Sequence, residues 1–160
     1  MHKTNSMRIL DARKILYTAF TYDDAIHSGA GVAEAIGVPI GQLYKTLVVL
    51  RDRGRPILAI IPSDRELDLK KMAAAAREKR VRMATQREAE AKTGLLVGGI
   101  SALALLDKGF DVFLDDTARQ FDELNVSAGQ RGVNLRLRVD DLVAVTKATV
   151  AALSGEAAEA

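Results

Sequence analysis

A single lysine inside a run of strand-forming residues sets the terms for this chain. Leu43-Tyr44-Lys45-Thr46-Leu47-Val48-Val49-Leu50 is rich in β-branched and aliphatic side chains, has the length of a strand, and lies between Gly41 and the turn sequence Arg51-Asp52-Arg53-Gly54. It reads as a buried strand. With a period of two, Lys45 shares its face with Leu43, Leu47 and Val49, so a cation stands on an otherwise apolar surface. Two outcomes are open. Either the lysine lies at the strand edge and snorkels its amine to water, or it stands at the wall of a pocket with its amine partly desolvated and aimed at a ligand's anionic or carbonyl group.

At 160 residues with 48% apolar content, the chain is long enough to bury the core of one domain and too short for two comfortable ones. Its 23 basic and 21 acidic residues nearly cancel, so affinity for nucleic acid must come from a local patch. The absence of cysteine excludes a disulfide framework, a thiol nucleophile and a Cys-based zinc site. No apolar run approaches the roughly 18 to 20 residues that span a bilayer, and the opening residues lack the apolar core of a signal peptide. A cytoplasmic location without a membrane partner is expected.

In chain order, Asn5 or Ser6 caps a first helix carrying Ile9, Leu10, Ile15 and Leu16, and a strand follows from Tyr17 to Tyr22. Ser28 and Gly29 open a short Ala-rich helix that Gly37 ends. A strand from Pro56 to Ile61 pairs with the Lys45 strand as an antiparallel hairpin, the expected centre of the sheet. Asp68 caps a helix from Leu69 to about Lys79. From Arg65 to Arg82 seven basic residues (Arg65, Lys70, Lys71, Arg77, Lys79, Arg80, Arg82) outnumber three acidic ones, which is a candidate footprint for a phosphate backbone or simply a solvated helix face.

Thr85 and Glu88 form a capping box for a helix that ends near Thr93-Gly94. Strands are expected at Asp111 to Leu114 and Leu124 to Ser127, and Val133, Leu135, Leu137 and Val139 alternate with Asn134, Arg136 and Arg138 in another. Asp140 caps a last helix, and Ala148 to Ala160 is expected to fray as an Ala/Glu-rich tail. The pattern is α+β: a mixed, curved, mostly antiparallel sheet of about seven strands with four to five packed helices, in a single domain over residues 1–160.

The chemistry is sparse. Only His2 and His27 are present, neither well placed for a triad or a metal site, and the carboxylate pairs Asp23-Asp24, Asp115-Asp116 and Asp140-Asp141 fall at element boundaries where capping explains them. Between Gly94 and Ala102, the adjacent Gly98 and Gly99 permit close backbone approach, leaving the N–H groups of Gly98, Gly99 and Ile100 as candidate grips for a carbonyl or ribose oxygen. Neither a dinucleotide fingerprint nor a P-loop is present. An inward lysine and glycine loops suit gripping a polar substrate, with catalysis left to donors aimed at developing charge and a nucleophile from water or substrate.

Four motifs in order, Tyr44-Lys45-Thr46-Leu47, Leu67-Asp68-Leu69-Lys70-Lys71, Thr93-Gly94 with Val97-Gly98-Gly99-Ile100-Ser101, and Val126-Ser127-Ala128-Gly129-Gln130-Arg131-Gly132, resemble those of the YbaK/EbsC family across nearly the whole chain. That family belongs to the aminoacyl-tRNA editing domains and is similar to the insertion in prolyl-tRNA synthetase. The resemblance implies the YbaK and prolyl-tRNA-synthetase-associated fold and an aminoacyl-tRNA deacylase that clears mischarged tRNA in trans, Cys-tRNA(Pro) foremost. It further implies that Lys45 is the functional lysine, that Tyr22, Gly98, Gly99, Ile100, Ser101, Ser127, Gly129 and Arg131 line the substrate pocket, and that the substrate's own thiol attacks its ester. Lys70, Lys71 and Arg136 are expected to meet tRNA phosphates. Neither cofactor nor metal is expected; the partners are aminoacyl-tRNA and, in a transient complex, prolyl-tRNA synthetase.

One stretch departs from the family, with Leu103 to Leu106 and Asp107 standing where basic residues often follow the glycine loop. Ala102 stands where proline usually follows the serine of the glycine loop, which puts the stiffness of the loop and the choice of amino acid in question. Two alternatives therefore remain: a deacylase for another small residue such as alanine, using water, or a non-catalytic module that binds a tRNA end or nucleotide.

Overall fold

The computed structural model describes residues 2–156, and within it the Lys45 strand lies next to the middle of the largest sheet. In chain order the elements are α1 (Asn5–Ala12), β1 (Tyr17–Thr21), α2 (Gly29–Ile36), β2 (Tyr44–Arg51), β3 (Ile57–Pro62), β4 (Arg65–Leu67), α3 (Leu69–Ala75), β5 (Val81–Met83), α4 (Gln86–Thr93), β6 (Asp111–Asp115), β7 (Glu123–Ser127), β8 (Val133–Arg138), α5 (Val139–Thr146), β9 (Thr149–Ala151) and β10 (Ser154–Glu156). Five strands in the order β5-β2-β3-β6-β9 form a mixed sheet; β1-β8-β7 form an antiparallel one, and β10 pairs with β4. A parallel bridge from Leu43 to Asn125 joins the two larger sheets. The α+β class holds, with more and shorter strands than the alternation pattern revealed.

Packing follows the period of two. Tyr44, Val48 and Leu50 of β2, with Leu58 and Ile60 of β3, face the main core under α1, α5 and the three-stranded sheet. Val49, Ile57, Ala59 and Ile61 face a second core closed by Met72 of α3, with Leu47 packed against it. Each fully buried Leu or Ile contributes about 1.5 to 3 kcal/mol of transfer free energy. Because every residue of β3 is buried, the hairpin with β2 is the centre of the fold, as its sequence implies. At the Lys45 end β2 pairs with β3 alone, since β5 joins only at Val49–Arg51.

Helix ends obey local chemistry. Ser28 caps α2 and Gly37 closes it in the left-handed conformation, while Thr85 and Glu88 make both bonds of the capping box on α4. Thr4 rather than Asn5 or Ser6 caps α1, because Ser6 is turned inward to donate to the Ala128 carbonyl. The helix from Leu69 stops at Ala75, short of Lys79, where Arg77 turns left-handed. Asp140 lies in the first turn of α5 without capping it. No helix among the described residues is long and apolar enough to cross a membrane.

The C-terminal stretch corrects the expectation of a fraying tail. Thr149–Ala151 pairs in parallel with β6, and Ser154–Glu156 pairs with β4; residues 157–160 lie outside the described residues. The anchor is Asp115, 1% exposed, whose carboxylate accepts from the backbone N–H of Leu153 and Ser154 and from the hydroxyls of Ser154 and Thr117 at 2.6 to 3.0 Å. Burial alone would push this carboxyl up, but the four donors together outweigh it and hold it below its ordinary value. Its contribution to stability is therefore present above the unfolded-state pKa and lost as pH falls through the lower folded value. Replacing Asp115 with alanine orphans buried donors, and we expect a loss of about 3 kcal/mol in denaturant unfolding together with early proteolysis near Leu153. An unchanged midpoint would contradict the anchor.

Candidate functional site

The open edge of β2 beside Lys45 becomes one wall of a cleft of about 270 Å3. Lys45 and Thr46 come from β2, Tyr22 from the end of β1, Ser28 and Gly29 from the start of α2, Gly98 and Ile100 from the glycine loop, and Ser127, Arg131 and Asn134 from the β7–β8 connection and its flanks. Lys45 is half-buried, with Leu47 and Val49 on its face as the period requires. Burial pulls its amine below the ordinary lysine value, and the nearby charges of Glu66 and Asp64 only partly restore it. Both readings of this residue contain part of the answer: it stands at an unpaired stretch of strand edge, and that edge opens into a pocket.

The glycine loop and the β7–β8 loop support each other. Gly98 adopts φ +95, closed to most side chains, and the Arg131 Nε donates to the Val97 carbonyl at 2.8 Å across the gap. A Cβ on Gly99 would stand 2.9 Å from the Arg131 backbone nitrogen and 3.0 Å from the backbone of Gln130, so only glycine lets the loops touch here. The Gly99 N–H is spent inside the loop on the Leu96 carbonyl, whereas those of Gly98 and Ile100 have no partner among the described residues. Ala102, in the proline position, has φ −63, the angle proline would impose, so the loop keeps that backbone without the ring.

Not every expected residue reaches the cleft. Lys45, Tyr22, Gly98, Ile100, Ser127 and Arg131 line it, while Gly99, Ser101 and Gly129 lie behind its wall. Ser101 is 1% exposed and accepts from Leu103 N–H, and the Gly129 N–H donates to Ser127 Oγ. The basic footprint from Arg65 to Arg82 is dispersed rather than gathered on one face. Lys71 donates to the Ser154 carbonyl, Arg65 to Ser154, and Arg82 to Glu88, whose carboxyl is drawn down to about 2. Arg136 bonds Asn125 and lies 5.1 Å over the Phe20 ring. Lys70 is exposed on α3.

Sequence reasoning missed Ser63, Asn134 and the placement of His27, all on the cleft wall. Asn134 is 3% exposed, and its Oδ1 has no partner among the described residues. Its position inside an alternating strand was legible; that the polar face of that strand meets the cleft was not. Neither Asp nor Glu lines the cleft, and no hydrogen bond among the described residues links His27 to a hydroxyl. The arrangement offers donors and a desolvated cation, without a nucleophile–base pair.

A model of the aminoacyl-tRNA editing domain matches residues 23–145. The chain belongs to this family, and thereby to the aminoacyl-tRNA deacylases. It is 35% identical over 154 residues to an Enterococcus faecalis (strain ATCC 700802 / V583) protein named "Putative Cys-tRNA(Pro)/Cys-tRNA(Cys) deacylase EbsC", covering 95% of this chain and 93% of the relative. The solved structure of "hypothetical protein APE2540" superposes with TM-score 0.85 at 26% identity, covering 92% of this chain and 97% of that one. A further structure, described as a "putative trans-editing enzyme for prolyl tRNA synthetase", shares the fold with TM-score 0.81 at 23% identity over 97% and 99% of the two chains.

The lowered amine of Lys45 yields a stability prediction. With the folded-state pKa below the unfolded one, holding the ammonium opposes folding at neutral pH, and the penalty fades as pH rises through the folded value. Lys45→Met should therefore unfold at a higher temperature than wild type at neutral pH, with the gap closing toward alkaline pH. A variant that melts lower at neutral pH would contradict a desolvated ammonium.

Proposed function

We propose that this protein acts in trans to remove a small, wrongly attached amino acid from tRNA, with Cys-tRNA(Pro) the foremost substrate. The observation that carries this reading is a half-buried lysine in a cleft with neither a carboxylate nor a paired nucleophile, which suits a substrate that brings its own. The cysteinyl thiol attacks the ester carbonyl, the bond to the ribose oxygen breaks, that oxygen takes the thiol proton, and a cyclic thiolactone leaves. Lys45 and the N–H groups of Gly98 and Ile100 hold the carbonyl end and favour the charge that develops there. Asn134 Oδ1, buried without a partner, suits the substrate's α-ammonium. Tyr22, Ser127 and Arg131 shape the mouth, and Gly99, Ser101 and Gly129 support it from behind.

The printed name of the Enterococcus relative supports the cysteinyl substrate, and that of the trans-editing structure supports action beside a prolyl-tRNA synthetase. A second reading, water attack on an alanyl ester, is favoured by His27 at the rim of the cleft, where an imidazole can take a proton. The non-catalytic reading rests on Ala102 and predicts binding of a tRNA end with no loss of any ester.

The test is to mix the protein with tRNA(Pro) charged separately with cysteine, alanine or proline and follow ester loss against a no-protein control. Selective loss of the cysteinyl ester is expected. Faster loss of the alanyl ester would replace thiol attack with water attack, and stability of all three esters would contradict the proposal.

A further inference from the structure

A second cleft, of about 680 Å3, is larger than the one that holds Lys45. It lies at the opposite end of the five-stranded sheet, where Arg51 ends β2 and where β6 and β9 begin. Its wall carries five cations from five segments: Arg13 after α1, Arg51, Arg55 in the β2–β3 turn, Arg77 after α3 and Lys147 after α5. Two carboxylates, Asp107 and Asp111, share that wall, and Asp111 is held by Arg51 at 2.9 Å. Arg51 also meets Glu78 at 3.3 Å, and its buried Nε has no partner. Arg13, Arg55, Arg77 and Lys147 are exposed and make no ion pair among the described residues.

Two of these cations, Arg77 and Lys147, end helices in a backbone conformation that ordinarily selects glycine. The two helices that end away from the cleft, α2 and α4, close on glycines in the left-handed conformation, Gly37 and Gly94. Three others close on Lys14, Arg77 and Lys147, at φ 59, 58 and 57, and of these Arg77 and Lys147 line the cleft. A residue with a Cβ is disfavoured there relative to glycine. Attraction of a cation to a helix C-terminus does not explain the choice, since the same attraction is on offer at α2 and α4. Arg77 and Lys147 hold their charges on the cleft wall in this conformation, which Asp107, at φ 59, shares there.

We propose that this cleft is a second binding site, for phosphate groups of the RNA backbone away from the aminoacyl end; the proposal rests on the reading of the substrate as tRNA. Lys45 and Arg51 are six residues apart on one face of β2, which places the sites about 20 Å apart along the strand. An RNA chain carries several phosphates over that span. The Lys45 cleft grips the ester, and the distal cleft grips the stem that carries it.

The test is a triple variant, Arg55→Gln, Arg77→Gly and Lys147→Gly, in which glycine replaces the two left-handed cations without strain, so the fold is kept; thermal unfolding checks this. Binding of uncharged tRNA is measured by fluorescence anisotropy across a KCl series, without any ester chemistry. The variant should bind about tenfold or more weakly at low salt, and its slope of log K against log salt should be shallower by about 2 to 3, as expected for three lost phosphate contacts. Equal affinity and slope would overturn the proposal, even in a protein that cleaves esters normally. Weakened tRNA binding by the variant upholds it, even if the wild type were to cleave no ester. In a second arm, inorganic phosphate and ADP are added separately to both proteins. Thermal protection of wild type alone, with tRNA binding unchanged by the substitutions, would overturn the RNA assignment in favour of a small phosphate ligand.

Discussion

A lysine on a strand whose two faces are both packed cannot be sealed in, because an ammonium without water or a counter-charge is too costly to bury. The fold meets that constraint by leaving β2 unpaired on one side just where Lys45 projects. The three-stranded sheet meets the chain just before β2 through the Leu43–Asn125 bridge rather than a full ladder, and the space beside it becomes the cleft. The pocket and the topology are thus one fact: pairing of β5 with the first half of β2 would close the site and strand the cation.

The second constraint is close approach between the two loops that roof the cleft. Gly99 lies within contact of the Gln130–Arg131 backbone, and Arg131 returns a hydrogen bond to Val97. Such a roof is set by backbone and needs no catalytic side chain, which agrees with a cleft that contains donors but no nucleophile–base pair. The Tyr44 phenol, pushed up to about 12 by burial, bonds Thr117, and Thr117 bonds Asp115, so the residue next to Lys45 is tied to the anchor of the C-terminal strand.

Much of this was legible in the sequence because periodicity and capping are local signals. The strand at Lys45, its hairpin with β3, the Thr85–Glu88 box and the glycine stop at Gly37 are each written within a few residues. What escaped depends on distant partners. Asp115 reads as a turn residue, yet three of its four donors come from Leu153 and Ser154, 38 and 39 positions downstream, and they order a stretch whose Ala/Glu composition resembles a tail. That Lys71 and Arg65, read as a basic surface, both bond Ser154 depends on a partner more than 80 positions away. The helix from Leu69 has helix-forming residues well past its end; Arg77 stops it in a conformation that usually announces itself as glycine. Within the site, the lysine and the glycine motifs were readable, whereas the inward aim of Asn134 required the sheet that carries it.

The central claim is that the half-buried amine of Lys45 binds and positions the aminoacyl ester. Its most direct test is the single-turnover rate of ester loss from Cys-tRNA(Pro) for wild type and Lys45→Ala, with circular dichroism to verify that both are folded. Loss of one well-placed charged donor should slow cleavage about 100-fold or more while leaving the spectrum unchanged. A folded Lys45→Ala protein that cleaves at the wild-type rate would contradict the account.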